Sequence, residues 1–257
     1  MAGKGMMRMV RGAVWVSLAA WMPAYALDFV VDNKPNPQAE NGYRVQNGDV
    51  ISGHPIFTAD GGWRFLSLDI GSTSGTARSV PMSTVVMGRM TKGAVTMVQY
   101  VVVASGGSDG NGWQGDPCSG EKIVKINKIR QRLDRCAAAQ IESVRFGGKP
   151  TDALKIEFTE SNAGGRFYQV GFYVAYEYMG LSYAAVTAKD GAFKLRLQAW
   201  MEKMLEAVVK AADYDKPANA YDAVPGFTSA VLQDSSSSMV QFNPAGHNIA
   251  VPLAKHL

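Results

Sequence analysis

Apolar and aromatic side chains recur at every second position between Arg166 and Met179, and no other stretch restricts the possible folds so strongly. Extended backbone sends alternate side chains to opposite faces. Tyr168, Val170, Phe172, Val174, Tyr176 and Tyr178 therefore share one face, and Gln169, Gly171, Tyr173, Ala175 and Glu177 share the other. An aromatic row of that length has to be covered by another element or by a ligand. The cover is nominated further along the chain. Phe193, Leu197, Trp200, Met201, Met204, Leu205 and Val208 recur at helical spacing between Asp190 and Ala212, with Lys194, Gln198, Glu202, Lys203 and Glu206 on the remaining positions. Glu206 and Lys210 add an i,i+4 pair of favourable polarity, and Pro217 stops the helix. The alternative to a covered core face is an apolar groove lined by Tyr168, Phe172 and Tyr176.

The segments upstream read as further strands. Ser83 to Met90 and Ala94 to Ala104 are rich in apolar and β-branched residues and are separated by Thr91-Lys92-Gly93, the pattern of a hairpin. Val98 to Val103 is almost continuously apolar, as expected of a central strand buried on both faces. Trp63 to Ile70 alternates, and Leu66, Leu68 and Ile70 are expected to face inward. Gln140 to Phe146 and Ala153 to Thr159 read as strands, with Ser161 to Gly165 turning the chain into the aromatic strand. Leu27 to Gly62 is dense in Asn, Asp, Pro and Gly and reads as loops with short strands. The expected fold is α+β: one domain over residues 27–215, a largely antiparallel sheet packed against a long C-terminal amphipathic helix, with a disulfide-stapled module beside it. Residues 216–257 lack sustained periodicity and are expected to form an irregular, partly disordered tail with one docked segment at most.

Lys4, Arg8 and Arg11 precede an apolar run from Ala13 to Trp21, and Ala24-Tyr25-Ala26 offers small residues where a signal peptidase reads. Residues 1–26 thus read as a signal peptide cleaved near Ala26. The run is far shorter than the roughly 20 residues a spanning helix needs, and no later stretch is apolar enough to span. The mature chain is expected to carry no transmembrane segment and to reside in the periplasm or outside the cell. Cleavage leaves 23 of the 26 basic residues against 22 acidic ones, a net charge of +1 in place of +4. A general nucleic-acid binder keeps a basic surplus, so no nucleic-acid partner is expected.

Two cysteines in an exported chain, Cys118 and Cys136, are most simply a disulfide. Closing a loop of that size stabilises a fold by roughly 3 kcal/mol in the chain-entropy model. Between them, Ile126, Ile129, Leu133 and Cys136 can share one face of a helix begun at Ser119 and Glu121, which gathers Lys122, Lys125, Lys128, Arg132 and Arg135 on its flank. Such a flank could contact an anionic envelope component or another envelope protein, though charge runs are usually solvated faces. Glu121 to Ile129 also fits a strand followed by a turn, and a strand would scatter the basic side chains over both faces.

Little in the chain assembles into chemistry. The loop Gly71 to Thr76 lacks the Gly-Lys-Ser/Thr ending of a phosphate-binding loop. Counted from Asp109, an EF-hand fails at Trp113, Gln114 and Gly120. A Ser-His-Asp triad would have to recruit His54, or His247 or His256 from the tail. Carboxylate pairs such as Glu157 with Glu160, or Asp109 with Asp116, keep a periplasmic hydrolase open as an alternative. No catalytic residue, metal ligand or cofactor is assigned. Trp113, Asp116, Pro117 and Cys118, followed by Cys136 and a strand, resemble a pattern in uncharacterised exported proteins of Gram-negative bacteria. The resemblance implies a periplasmic address and a disulfide, and carries no activity. The order of elements is similar to that of small α/β sandwiches of the photosystem-assembly type, a likeness of shape only. The leading expectation is a noncatalytic envelope binding or accessory protein, with a carrier of lipid or another lipophilic small ligand as a further alternative.

Overall fold

The computed structural model describes residues 26–73, 80–91, 94–104, 118–127, 133–146, 149–162, 167–213 and 220–232. The expected signal peptide up to Tyr25 lies outside the described residues. From Ala26 the chain forms two miniature hairpins, β1 (Val30–Val31) with β2 (Lys34–Pro35) and β3 (Val50–Ile51) with β4 (His54–Pro55). Asp32 and Asn33 turn the first with φ of 53° and 57°, and Ser52 and Gly53 turn the second with 49° and 79°. Two consecutive positive φ values match the twist of a tight hairpin. Asp28 secures the second turn by accepting hydrogen bonds from Ser52 N at 2.9 Å and Gly53 N at 3.1 Å. Buried Asp49 ties the segment together, accepting from Leu27 N and Gln46 N, each at 2.8 Å.

Seven strands follow: β5 (Trp63–Thr73), β6 (Val80–Thr91), β7 (Ala94–Ala104), β8 (Val124–Asn127), β9 (Leu133–Phe146), β10 (Lys149–Asn162) and β11 (Phe167–Val174). They form one antiparallel sheet in the order β5-β6-β7-β11-β10-β9-β8. Two meanders, β5 to β7 and β8 to β11, therefore meet where β11 lies beside β7. Val98 and Val101 to Val103 of β7 are buried on both faces, as their unbroken apolar character requires. The aromatic strand ends at Val174, and Tyr176–Met179 is a 3-10 turn.

Short α1 (Tyr183–Thr187) leads to α2 (Ala192–Ala211), which crosses β8, β9, β10 and β11. All seven apolar residues nominated for its inward face are buried, and burial stabilises such side chains by roughly 1.5–3 kcal/mol each. Trp200 is the hub: its ring centroid lies 5.7 Å from both Phe158 and Phe172, 6.3 Å from Phe57 and 5.2 Å from Phe227. Phe227 belongs to α3 (Phe227–Val231), so the segment expected to be an irregular tail contributes buried Ala220, Tyr221, Val224, Phe227, Val231 and Leu232 to the core.

Two expectations are corrected. Along β5, Trp63 and Phe65 face the core instead of Leu66, because a bulge between Phe65 and Ser67 shifts the register. The extra residue resets the alternation, so Leu68 and Ile70 pack on the same core as Trp63 and Phe65, while Leu66 joins Val86 and Val98 on the other face. Among the described residues the stapled module holds strands and no helix. Val124–Asn127 takes the strand alternative as β8, paired to Cys136 through Ala139. β-branched Ile123, Val124 and Ile126 favour extended backbone, and the edge of β9 supplies the hydrogen bonds that a helix would have made internally.

Candidate functional site

The face of the sheet turned away from α2 carries a band of interacting titratable side chains placed there by strand register. Across the sheet, Tyr100 of β7 stands opposite Gly171 of β11, which faces Glu157 of β10 and then Ala138 of β9. In the neighbouring row, Val98, Tyr173, Lys155 and Gln140 align in the same way. Gly171 has no Cβ, so the Tyr100 ring lies across it and the hydroxyl donates to Glu157 Oε1. Lys155 Nζ is 3.1 Å from Glu157 Oε1 and 3.3 Å from Glu142 Oε2, and sits 5.8 Å from the Tyr173 ring centroid. Gln169 Nε2 donates to Glu157 Oε1 at 3.4 Å and to Thr159 Oγ1 at 3.5 Å. Gln140 donates to Glu142 at 3.5 Å and accepts from Lys122.

Partial burial sets the electrostatics. Burial, then the charge of Glu157, holds the Tyr100 phenol well above its ordinary range, so it is the donor to that carboxylate. Burial pushes Tyr173 up to about 12 against the opposing pull of Lys155. Burial alone would lower Lys155, but Glu157, Tyr173 and Glu142 outweigh it and hold the ammonium above its usual value. Lys155 therefore fills the space between the two carboxylates as a cation. The arrangement sets one ammonium between two carboxylates, each of which is already ion-paired.

The residues singled out from sequence are dispersed. Cys118 and Cys136 are joined, with Cα atoms 6.1 Å apart, and both are buried. Lys122 reaches Gln140, and Lys125 projects from the exposed edge strand β8. Arg135 leaves β9 on the opposite face and pairs with Glu160 at 2.8 Å, while Lys128 and Arg132 lie outside the described residues. Among the described residues the basic side chains thus do not gather into one surface, which corrects the helical-flank reading. Strand geometry is the reason, since Lys125 and Arg135 stand in register positions of opposite face. Tyr168, Phe172 and Tyr176 do not line a groove either. Their positions are filled core: Tyr168 donates to Pro55 O at 2.8 Å and meets Tyr221 Oη at 2.9 Å, Phe172 packs on Trp63 and Trp200, and Tyr176 is buried.

Of the carboxylate pairings, Glu157 with Glu160 lies among the described residues. Glu157 and Glu160 are three residues apart on β10 and project from opposite faces. Burial pushes Glu160 up, and Arg135 partly offsets it. His54 is buried, with Nδ1 donating to Ala211 O at 2.7 Å and its ring 5.1 Å from that of Tyr168. Gly106-Gly107-Ser108-Asp109-Gly110 spells Gly-x-Ser-x-Gly, the motif of a nucleophile elbow between a strand and a helix. Residues 105–117, with Asp109 and Asp116, lie outside the described residues. Among the described residues no three His, Cys, Asp or Glu side chains group as metal ligands, and no helix is long and apolar enough to cross a membrane. Sequence reading missed the Tyr100, Glu142, Lys155 and Glu157 band. Its signal was the polar alternation in Gln140-Ile141-Glu142 and Lys155-Ile156-Glu157, which acquires meaning only with the register. No protein-family model, no curated protein and no solved structure matches the chain.

Proposed function

We propose that the protein is a noncatalytic binding or accessory protein of the cell envelope, exported by residues 1–26 and acting in the periplasm. The observation that carries this reading is the mutual engagement of the titratable band: Lys155 bridges Glu142 and Glu157, and Tyr100 donates to Glu157. A hydrolase of the carboxylate type needs an acid and a base flanking a bond to be broken. Here the intervening position is taken by an ammonium. The Cys118–Cys136 disulfide favours an oxidising compartment, and the likeness of Trp113 to Cys136 to exported proteins points the same way.

Native mass spectrometry of the protein purified from its own envelope fraction tests the reading. The expected result is a mature chain beginning at Leu27, oxidised, with a partner or ligand that copurifies chemically unchanged. Hydrolysis of ester or glycoside substrates that Glu157→Gln abolishes, with the circular dichroism spectrum preserved, would overturn it.

A further inference from the structure

We infer that the cleft between α2 and α3 is a binding site for a small organic anion with an apolar body and carboxylate ends. The cleft has a volume of about 330 Å³, within the range of small-ligand sites. Its lining includes Arg196, Ala199, Trp200, Lys203, Pro225 and Ala230. Arg196 Nε donates to Val231 O and Trp200 Nε1 donates to Pro225 O, each at 2.9 Å. Earlier residues of α2 thus meet later residues of the α3 segment, so the cleft runs along α2 with Arg196 toward one end and Lys203 toward the other. Seven residues of helix separate the two Cα atoms by about 10 Å, and Ala199 and Trp200 supply the apolar floor between them.

The charge of the cleft is unmatched. Its lining contains no carboxylate, and Lys203 is exposed and forms no ion pair among the described residues. Asp60, which faces the start of α3, is already engaged: Oδ2 accepts from Phe227 N at 2.7 Å and Oδ1 from Thr228 N at 3.0 Å. The backbone bond of Arg196 uses only Nε, leaving its two Nη groups for the paired oxygens of a carboxylate. The walls are also fixed beforehand, because α3 is held by Asp60, by Arg196 and by Arg89, whose Nη1 donates to Thr228 Oγ1 at 2.8 Å. A site that does not have to order itself loses less of its binding energy.

The inference rests on the noncatalytic reading in one respect, that the ligand is held and not turned over. Isothermal titration of the full exported chain, disulfide intact, with decanedioate tests it, beside decanoate, decan-1-ol and phosphatidylglycerol vesicles. Decanedioate should bind most tightly and decan-1-ol not at all. Lys203→Glu should weaken decanedioate by roughly fivefold, the upper end for a solvent-facing ion pair. Ala199→Phe, at an exposed helix position, should block the cleft without lowering the melting temperature. Undiminished binding by Ala199→Phe, equal binding of decan-1-ol, or binding to vesicles alone would overturn the site. Absence of decanedioate binding would remove the cleft and leave the accessory role intact. Binding accompanied by hydrolysis of a carboxylate-bearing ester would keep the cleft and remove the noncatalytic reading.

Discussion

Gly171 is the residue on which the polar face of the sheet turns. A Cβ there would overlap the Tyr100 ring, which has β-sheet neighbours on either side and cannot simply swing away. Gly171→Ala should therefore cost about 1–3 kcal/mol, the usual range for forced overpacking. Urea unfolding would show it, and Gly171→Ala combined with Tyr100→Ala should lose less than the two changes added. Tyr173 makes a second prediction at this scale. Burial raises its folded pKa from an ordinary 10 to about 12, so the native state favours the neutral phenol. Its contribution is fully present below about pH 10 and is lost as pH rises toward 12, because the unfolded chain then releases its proton first. The urea midpoint should fall across that window, and less steeply in Tyr173→Phe. A decline still remains in that variant, since burial also raises Tyr100, Tyr168 and Tyr221. A midpoint independent of pH up to 12 would contradict this account.

Among the elements, α3 shows how little intrinsic helix a docked segment needs. Five residues cannot sustain a helix in isolation, and Asp60 supplies the missing acceptors from a distant loop. Asp60→Ala should cost roughly 1–2 kcal/mol, as for loss of a helix cap, and should abolish exchange protection in α3 before the sheet opens. Unchanged protection there would mean that Trp200 and Phe227 suffice. The elements also mark where the sequence could be read. The β6–β7 hairpin and α2 were legible because their periods run unbroken over many residues. β5 was recognised as a strand with its faces exchanged from Trp63 to Leu66 and correct at Leu68 and Ile70, since one bulged residue is invisible to a pattern of alternation. The first half of β9 was missed because Ala137-Ala138-Ala139 carries no strand preference, and only pairing with β8 and β10 makes it extended. The candidate site was the least legible feature, because Tyr100, Glu142, Lys155 and Glu157 come from three strands and meet only through register.

At the scale of the whole molecule, the aromatic hub around Trp200 unites α2, α3, the irregular N-terminal segment and the sheet into one core, which explains why a chain with so little regular structure before Trp63 is ordered there. The order of the sheet carries a further consequence in time. Every neighbouring pair of strands is consecutive in the chain except β7 and β11. The first meander can close early, but one side of β7 stays open until Phe167 to Val174 arrives to pair with it. Throughout that interval Val101, Val102 and Val103 form a bare apolar border able to recruit a strand from another molecule. Pulsed hydrogen exchange during refolding should find the β7 amides directed at β11 protected later than those directed at β6, whereas simultaneous protection would mean that both meanders form together. The vulnerable moment in the life of this protein is thus set by the distance along the chain between two strands that, once folded, lie side by side.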